Sequence, residues 1–134
     1  MKWKFFFVST LAILCLFFST STSNAANWYY VGSSDNIEAY VDSSTVYYQH
    51  DSSGNKNYDV IQYWQKMVYP DGEFYIITRC ILSVPDRRVY QYDCTAYDYD
   101  GGEIESRNLN GTSRVIVAGS MGEREMRIVR DLAR

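Results

Sequence analysis

The sequence predicts an α+β fold in which antiparallel strands are followed by one C-terminal helix packed on a face of the sheet. Three observations carry that reading. All thirteen tyrosines fall between Tyr29 and Tyr99, mixed with Val, Ile, Thr and Trp, the composition that suits a pleated, half-buried surface. Short turn signals punctuate the chain, and links of that length join antiparallel neighbours. After Ser120 the apolar period changes from that of a strand to that of a helix.

The chain opens on a different pattern. Met1-Lys2-Trp3-Lys4 is a short positive start, Phe5 to Phe18 is an apolar or small-residue run, and Ser19 to Ala25 is a stretch of small polar residues. That order is a secretory signal peptide. The run is shorter than the about 20 residues a membrane-crossing helix requires, so no permanent membrane span is expected after cleavage. Ser23 and Ala25 place the cut between Ala25 and Ala26. Cys15 does not make a lipobox, because Leu14 precedes it and Leu16-Phe17-Phe18 continue the run. The mature chain is then a single domain over residues 26–134, directed to an extracytoplasmic location, whether periplasmic, secreted or on the cell surface. It holds 11 basic and 16 acidic residues, a net charge of −5, which argues against nucleic acid as a partner.

Within the mature chain the candidate strands are Trp28 to Val31, Ile37 to Val41, Thr45 to Gln49, Tyr58 to Tyr69, Glu73 to Val84, Arg88 to Tyr97, Glu103 to Arg107 and Arg114 to Ala118. The turns between them include Pro70-Asp71-Gly72, Pro85-Asp86, Asp100-Gly101-Gly102 and Asn110-Gly111. A hairpin turning near Pro85 to Arg88 pairs residues whose numbers sum to about 174, setting Cys80 opposite Cys94, Leu82 opposite Tyr92 and Val84 opposite Tyr90. Period 2 puts Phe74, Ile76, Thr78, Cys80, Leu82 and Val84 on one face. In an exported protein two facing thiols oxidise, so a Cys80–Cys94 disulfide is expected; two separate buried cysteines are the alternative. Ser120-Met121-Gly122-Glu123 is a capping box opening the helix. Met121, Glu125, Ile128, Val129 and Leu132 trace one side of it, apolar but for Glu125, and Glu123–Arg127 and Arg127–Asp131 are i,i+4 pairs.

The motifs that suggest catalysis or metal binding fail in detail. Ser120 lies between a strand and a helix, but Ala118 stands where a nucleophile elbow requires glycine, so Ser120 reads as a helix cap. His50, the only histidine, sits beside Asp51 in a polar loop and reads as a solvated tip. Aligning Gly101 with the glycine of a calcium loop puts Ala96 at the first ligand position and Arg107 at the twelfth, which excludes an EF-hand; Asp98, Asp100 and Glu103 read as turn residues. One histidine and two cysteines are too few ligands for zinc. Asn110-Gly111-Thr112 fits a glycosylation sequon and equally an ordinary turn. No enzyme activity, cofactor or metal is expected. Adjacent Tyr29-Tyr30 and Tyr47-Tyr48 place one ring on each face of a strand, so some rings meet solvent or a partner, and these four are the candidate ligand-binding residues.

Taken in order, Trp28, Ala39-Tyr40-Val41-Asp42, Ser44-Thr45-Val46, Trp64-Gln65-Lys66, Tyr92-Asp93-Cys94, Tyr97-Asp98-Tyr99-Asp100-Gly101 followed by Glu103-Ile104, and Val115-Ile116-Val117-Ala118-Gly119-Ser120 resemble the surface-adhesin protein E family of exported bacterial proteins. The resemblance implies an antiparallel sheet of about six strands with the C-terminal helix on its concave face, a role in surface binding or adhesion, and no catalytic residues. The chain departs from the family pattern where Ala118 replaces a proline, where the lipobox is missing, and where no cysteine follows Cys94. Without that cysteine the helix is held by its apolar side alone. The expected function is a non-enzymatic exported binding module, adhesin-like, for a protein or other surface ligand. The alternative is a periplasmic inhibitor of a wall-degrading or proteolytic enzyme, acting through a loop such as His50 to Asn57.

Overall fold

The computed structural model describes residues 26–134; the signal-peptide expectation for residues 1–25 lies outside them. The order of elements is β1 (Trp28–Ser34), β2 (Ile37–Asp42), a 3-10 turn (Ser43–Thr45), β3 (Tyr47–His50), β4 (Lys56–Tyr69), a second 3-10 turn (Pro70–Gly72), β5 (Phe74–Ser83), β6 (Arg88–Asp98), β7 (Glu103–Val115) and α1 (Met121–Leu132). All strand pairs are antiparallel, in the order β1-β2-β4-β5-β6-β7, with β3 also on β4. The expected antiparallel sheet with one C-terminal helix is therefore the fold.

Strands β2 and β3 occupy the same edge of β4, one after the other: Glu38–Val41 pair with Gln65–Val68, and Tyr47–His50 pair along Lys56–Gln62. Asp42 makes the break between them. It is buried, and its Oδ1 accepts from the Asn27 N–H (3.0 Å), the Ser44 N–H (3.0 Å) and the Ser44 hydroxyl (2.6 Å). Thr45 Oγ1 then accepts from the Trp64 N–H at 3.1 Å, which returns the ladder that the turn interrupts.

The sequence reading errs at two turns. Asn110-Gly111 does not end a strand: β7 runs through it, with Asn110 at φ 53° and Gly111 at φ 76°, facing an irregularity between Gln91 and Asp93 in β6. Asn-Gly accepts the left-handed conformation that a hairpin turn and a bulge both require, so the dipeptide does not distinguish them. The turn after β5 is centred earlier than expected. Arg87 N–H donates to Val84 O at 3.3 Å and the closing pair is Ser83 with Arg88. Leu82 consequently faces Val89, not Tyr92, and Cys80 faces Gln91. A bulge opposite Arg79 shifts the register again, so that Cys94 pairs with Thr78. Both thiols are free, Cys80 buried and Cys94 half-buried. Diagonal neighbours on one sheet face stand about 7–8 Å apart, at the limit of what a disulfide spans without backbone movement.

The face assignment holds despite the register. Thr78, Cys80 and Leu82 of β5 are buried together with Ile61 and Tyr63 of β4 and Ala39 and Val41 of β2. Helix α1 covers this inner face on the β1–β4 side, inserting Met126 and Val129 into a core that includes Val31, Val46 and Ile116. Met126 belongs to the buried side with Glu125 and Val129, while Met121, Ile128 and Leu132 flank it. Ser120 caps the helix by accepting from the Glu123 N–H at 3.3 Å. Glu123 does not bond Arg127; it accepts from Gly119 N–H (3.4 Å) and pairs with Arg87 (2.7 Å), tying the helix start to the β5–β6 turn. Among the described residues no helix is long and apolar enough to cross a membrane.

Candidate binding site

The outer face of the sheet, opposite α1, gathers aromatic side chains from four strands, with a lysine from a fifth, by register alone. Tyr30 pairs with Tyr40, Tyr40 with Lys66, and Tyr75 with Tyr97. Because alternate side chains share a face, Trp28 joins Tyr30 and these rings form a patch around one cation. Lys66 Nζ lies 5.0 Å from the Trp28 ring centroid and 5.3 Å from those of Tyr40 and Tyr75. All three are within the range of cation–π attraction. Burial among the rings lowers the Lys66 pKa.

The rings also hold each other. Tyr75 and Tyr97 stack at 5.3 Å with planes 21° apart, and Tyr30 meets Tyr40 edge-on at 5.4 Å. Tyr40 donates to Glu38 Oε2 at 2.9 Å, and burial followed by that carboxylate raises its pKa. Next along the face, the β6 bulge turns both Tyr92 and Asp93 toward Arg79. Its guanidinium lies 4.9 Å from the Tyr92 ring and its Nε is 3.0 Å from Asp93 Oδ2. Such a surface is pre-ordered, amphipathic and wet, with ring faces for apolar contact and phenol tips for hydrogen bonds.

Of the four tyrosines singled out by sequence, Tyr30 lies in this patch. Tyr29 pairs with Val41 and falls on the helix side at the sheet edge, exposed. Tyr47 is exposed opposite Gln62, with the Arg134 guanidinium 5.6 Å from its ring. Tyr48 opposes Ile61, packs against the core and meets Tyr58 edge-on at 5.0 Å. One ring of each adjacent pair thus lies on each face, but the four do not form one site. Trp28, Tyr40, Lys66, Tyr75 and Tyr97 are the residues sequence reading missed. The two-residue spacing of Trp28 and Tyr30 within β1 was visible; the register that brings the other strands' residues beside them was not.

The inner face carries a second feature. Helix α1 leaves the β5–β7 side uncovered, and a cleft of about 340 Å³ opens there between the helix start and the sheet. Glu125 is buried and is among the residues that line it. The carboxylate accepts from the Tyr63 hydroxyl at 2.8 Å and from Gln65 Nε2 at 2.7 Å. Burial pushes the Glu125 carboxyl up, and the two donors oppose that shift. Burial and then the Glu125 charge push the Tyr63 phenol well above its usual value, and the same two causes raise the Cys80 thiol.

Elsewhere the structure assigns ordinary roles. Asp98 closes the β6–β7 turn, its Oδ1 accepting from Gly102 N–H at 2.8 Å. His50 is exposed at the end of β3, paired with Lys56. Among the described residues no three His, Cys, Asp or Glu side chains are grouped to hold a metal.

The fold and the patch together define an antiparallel α+β domain with an open aromatic sheet face and an opposite face that the helix covers on its β1–β4 side. The chain matches no protein-family model, no curated protein and no solved structure.

Proposed function

We propose that this is an exported, non-enzymatic binding module that engages a surface or envelope protein through its outer sheet face. The observation that carries the proposal is Lys66 held over three aromatic rings in the middle of an open sheet face. A soluble domain gains little from ordering tyrosines on a solvent-facing sheet, whereas a partner gains large contact area at low entropic cost. The resemblance of the chain to surface-adhesin protein E sequences supports the same reading, as does the signal-like start at residues 1–25.

The test is cross-linking on intact cells followed by pull-down with purified residues 26–134. Tyr30→Ala and Tyr97→Ala are expected to weaken capture of the partner at least tenfold, a loss typical of central aromatic anchors, while the domain stays folded with only the small drop in thermal melt that losing one ring pair brings. Replacing Asp51–Asn55 by a Gly-Ser linker is expected to leave capture intact. Loss of capture on loop replacement, with both tyrosine variants unaffected, would favour the enzyme-inhibitor reading instead.

A further inference from the structure

The outer face leaves unexplained why a carboxylate is buried beside a cleft on the inner one. Glu125 Oε1 and Oε2 each accept one hydrogen bond, and both donors are neutral. A carboxylate has about four acceptor sites, so half its capacity is open. The three ion pairs among the described residues, Arg79–Asp93, Arg87–Glu123 and Arg107–Glu105, do not involve it. An ionised carboxylate held away from water without a cation is costly, and a bound cation relieves that cost.

The space in front of Glu125 has the shape of a ligand site. The cleft is lined by Met67, Ile76, Val89 and Leu109, with Met121 contributed by the helix. Its volume falls within the about 300–1,000 Å³ of small-molecule sites. A second hollow of about 420 Å³ shares Ile76, Cys94 and Leu109 with it and continues to Ala96 and Ile104. Ile76, Leu109, Ala96 and Ile104 make an aliphatic strip, or track, along the two hollows; Glu105 and Arg107 border it, and Glu125 also lines the first cleft.

From this juxtaposition we propose that the inner cleft binds a primary amine carrying an unbranched apolar chain, its ammonium on Glu125 and its chain along Ile76, Leu109 and Ile104. An ammonium supplies three donors and a full charge to a carboxylate with acceptor sites to spare. A chain of methylenes matches the aliphatic side of this track, where the two charged lining residues, Glu105 and Arg107, are already paired with each other at 2.7 Å. Arg114 also lines the cleft, from β7, and would attract a carboxylate instead; it is exposed, whereas the acid is buried. The site lies on the face opposite the aromatic patch, so either proposal can fail without the other.

The test is titration of the folded residues 26–134 with n-butylamine, n-octylamine, n-octanol and n-octanoate, followed by amide NMR shifts. Octylamine is expected to shift the amides of Gln65, Cys94 and Glu125, and to bind more tightly than butylamine by about fourfold for each methylene that enters the track. Glu125→Gln is expected to weaken octylamine about tenfold or more, the loss of a charge-assisted contact, without changing octanol. Leu109→Trp, which fills the track away from the acid, is expected to weaken octylamine more than butylamine. Equal binding of octanol and octylamine would overturn the proposal. So would tighter binding of octanoate that is lost in Arg114→Gln, shifts confined to Tyr40 and Lys66, or no saturable shift at all.

Discussion

Tyr63 donates its phenolic hydrogen to Glu125 Oε2 at 2.8 Å, joining the centre of β4 to the buried side of α1. Both residues are buried, and the bond spans 62 positions of sequence. With the Gln65 bond to the other oxygen it is the buried polar link of a helix that also inserts Met126 and Val129 and is tied at its start by Arg87–Glu123. Tyr63→Phe keeps the ring and removes the donor, leaving the carboxylate with Gln65 alone. The expected loss is about 1–3 kcal/mol, the cost of an under-satisfied buried acceptor. Urea denaturation measures it, and a change below about 0.5 kcal/mol would show that Glu125 does not depend on this bond.

The raised pKa of Glu125 sets a pH dependence. Its folded value lies above its unfolded one because burial disfavours the charge, so between the two values the folded state holds more protons. Stability therefore falls as pH rises through that window, then levels off. Glu123 acts in the opposite direction, lowered first by Arg87, but it is exposed and its contribution is screened. Tyr63 and Cys80, raised well above their usual values, add a further fall at the alkaline end. Thermal melts of wild type and Glu125→Gln across acidic to neutral pH isolate the residue. The two are expected to converge in acid, with the glutamine variant the more stable at neutral pH. A difference independent of pH would remove Glu125 as its source.

Asp42 holds the β2–β3 break with three hydrogen bonds to one oxygen. Asp42→Ala orphans the Asn27 and Ser44 N–H groups and frees the start of β1. The expected cost is about 1–2 kcal/mol, at the upper end of a lost cap because the group is buried. Asp42→Asn is expected to recover most of it, since an amide oxygen can accept the same bonds. Chemical denaturation of the pair of variants decides, and an Asn variant as unstable as Ala would mean that the charge, not the acceptor, matters.

What sequence alone disclosed follows from how far each signal reaches along the chain. The helix was legible because Ser120, Glu125 and Val129 lie within a few turns of one another, and Ser120 does cap it. The inward face of β5 was legible because period 2 needs no partner strand. Pairing depended on turn centre and bulges, and a turn displaced by one or two residues moved Cys94 from Cys80 to Thr78. The aromatic patch was hidden for the same reason: Tyr40 and Lys66 face each other only once β2 is registered on β4. Glu125 was noticed as the polar exception on an apolar helix side; that it meets Tyr63 and Gln65 is a long-range fact no local pattern contains.

The two cysteines test the register directly. Cys80 is buried at the Tyr63 rung with its thiol pKa raised by burial and by Glu125, whereas Cys94 lines the open cleft. Thiolate, the reactive form, is thus scarce and shielded at Cys80. Brief alkylation of the native protein, read by mass spectrometry after digestion, is expected to label Cys94 well before Cys80, and denaturation is expected to equalise them. Cys94→Ser should leave Cys80 unlabelled under native conditions. Finding neither thiol labelled without reductant, and both after it, would mean that they are bridged. Thr78 would then have to yield its place opposite Cys94, by a shift of the β5–β6 register at the Tyr92–Asp93 bulge.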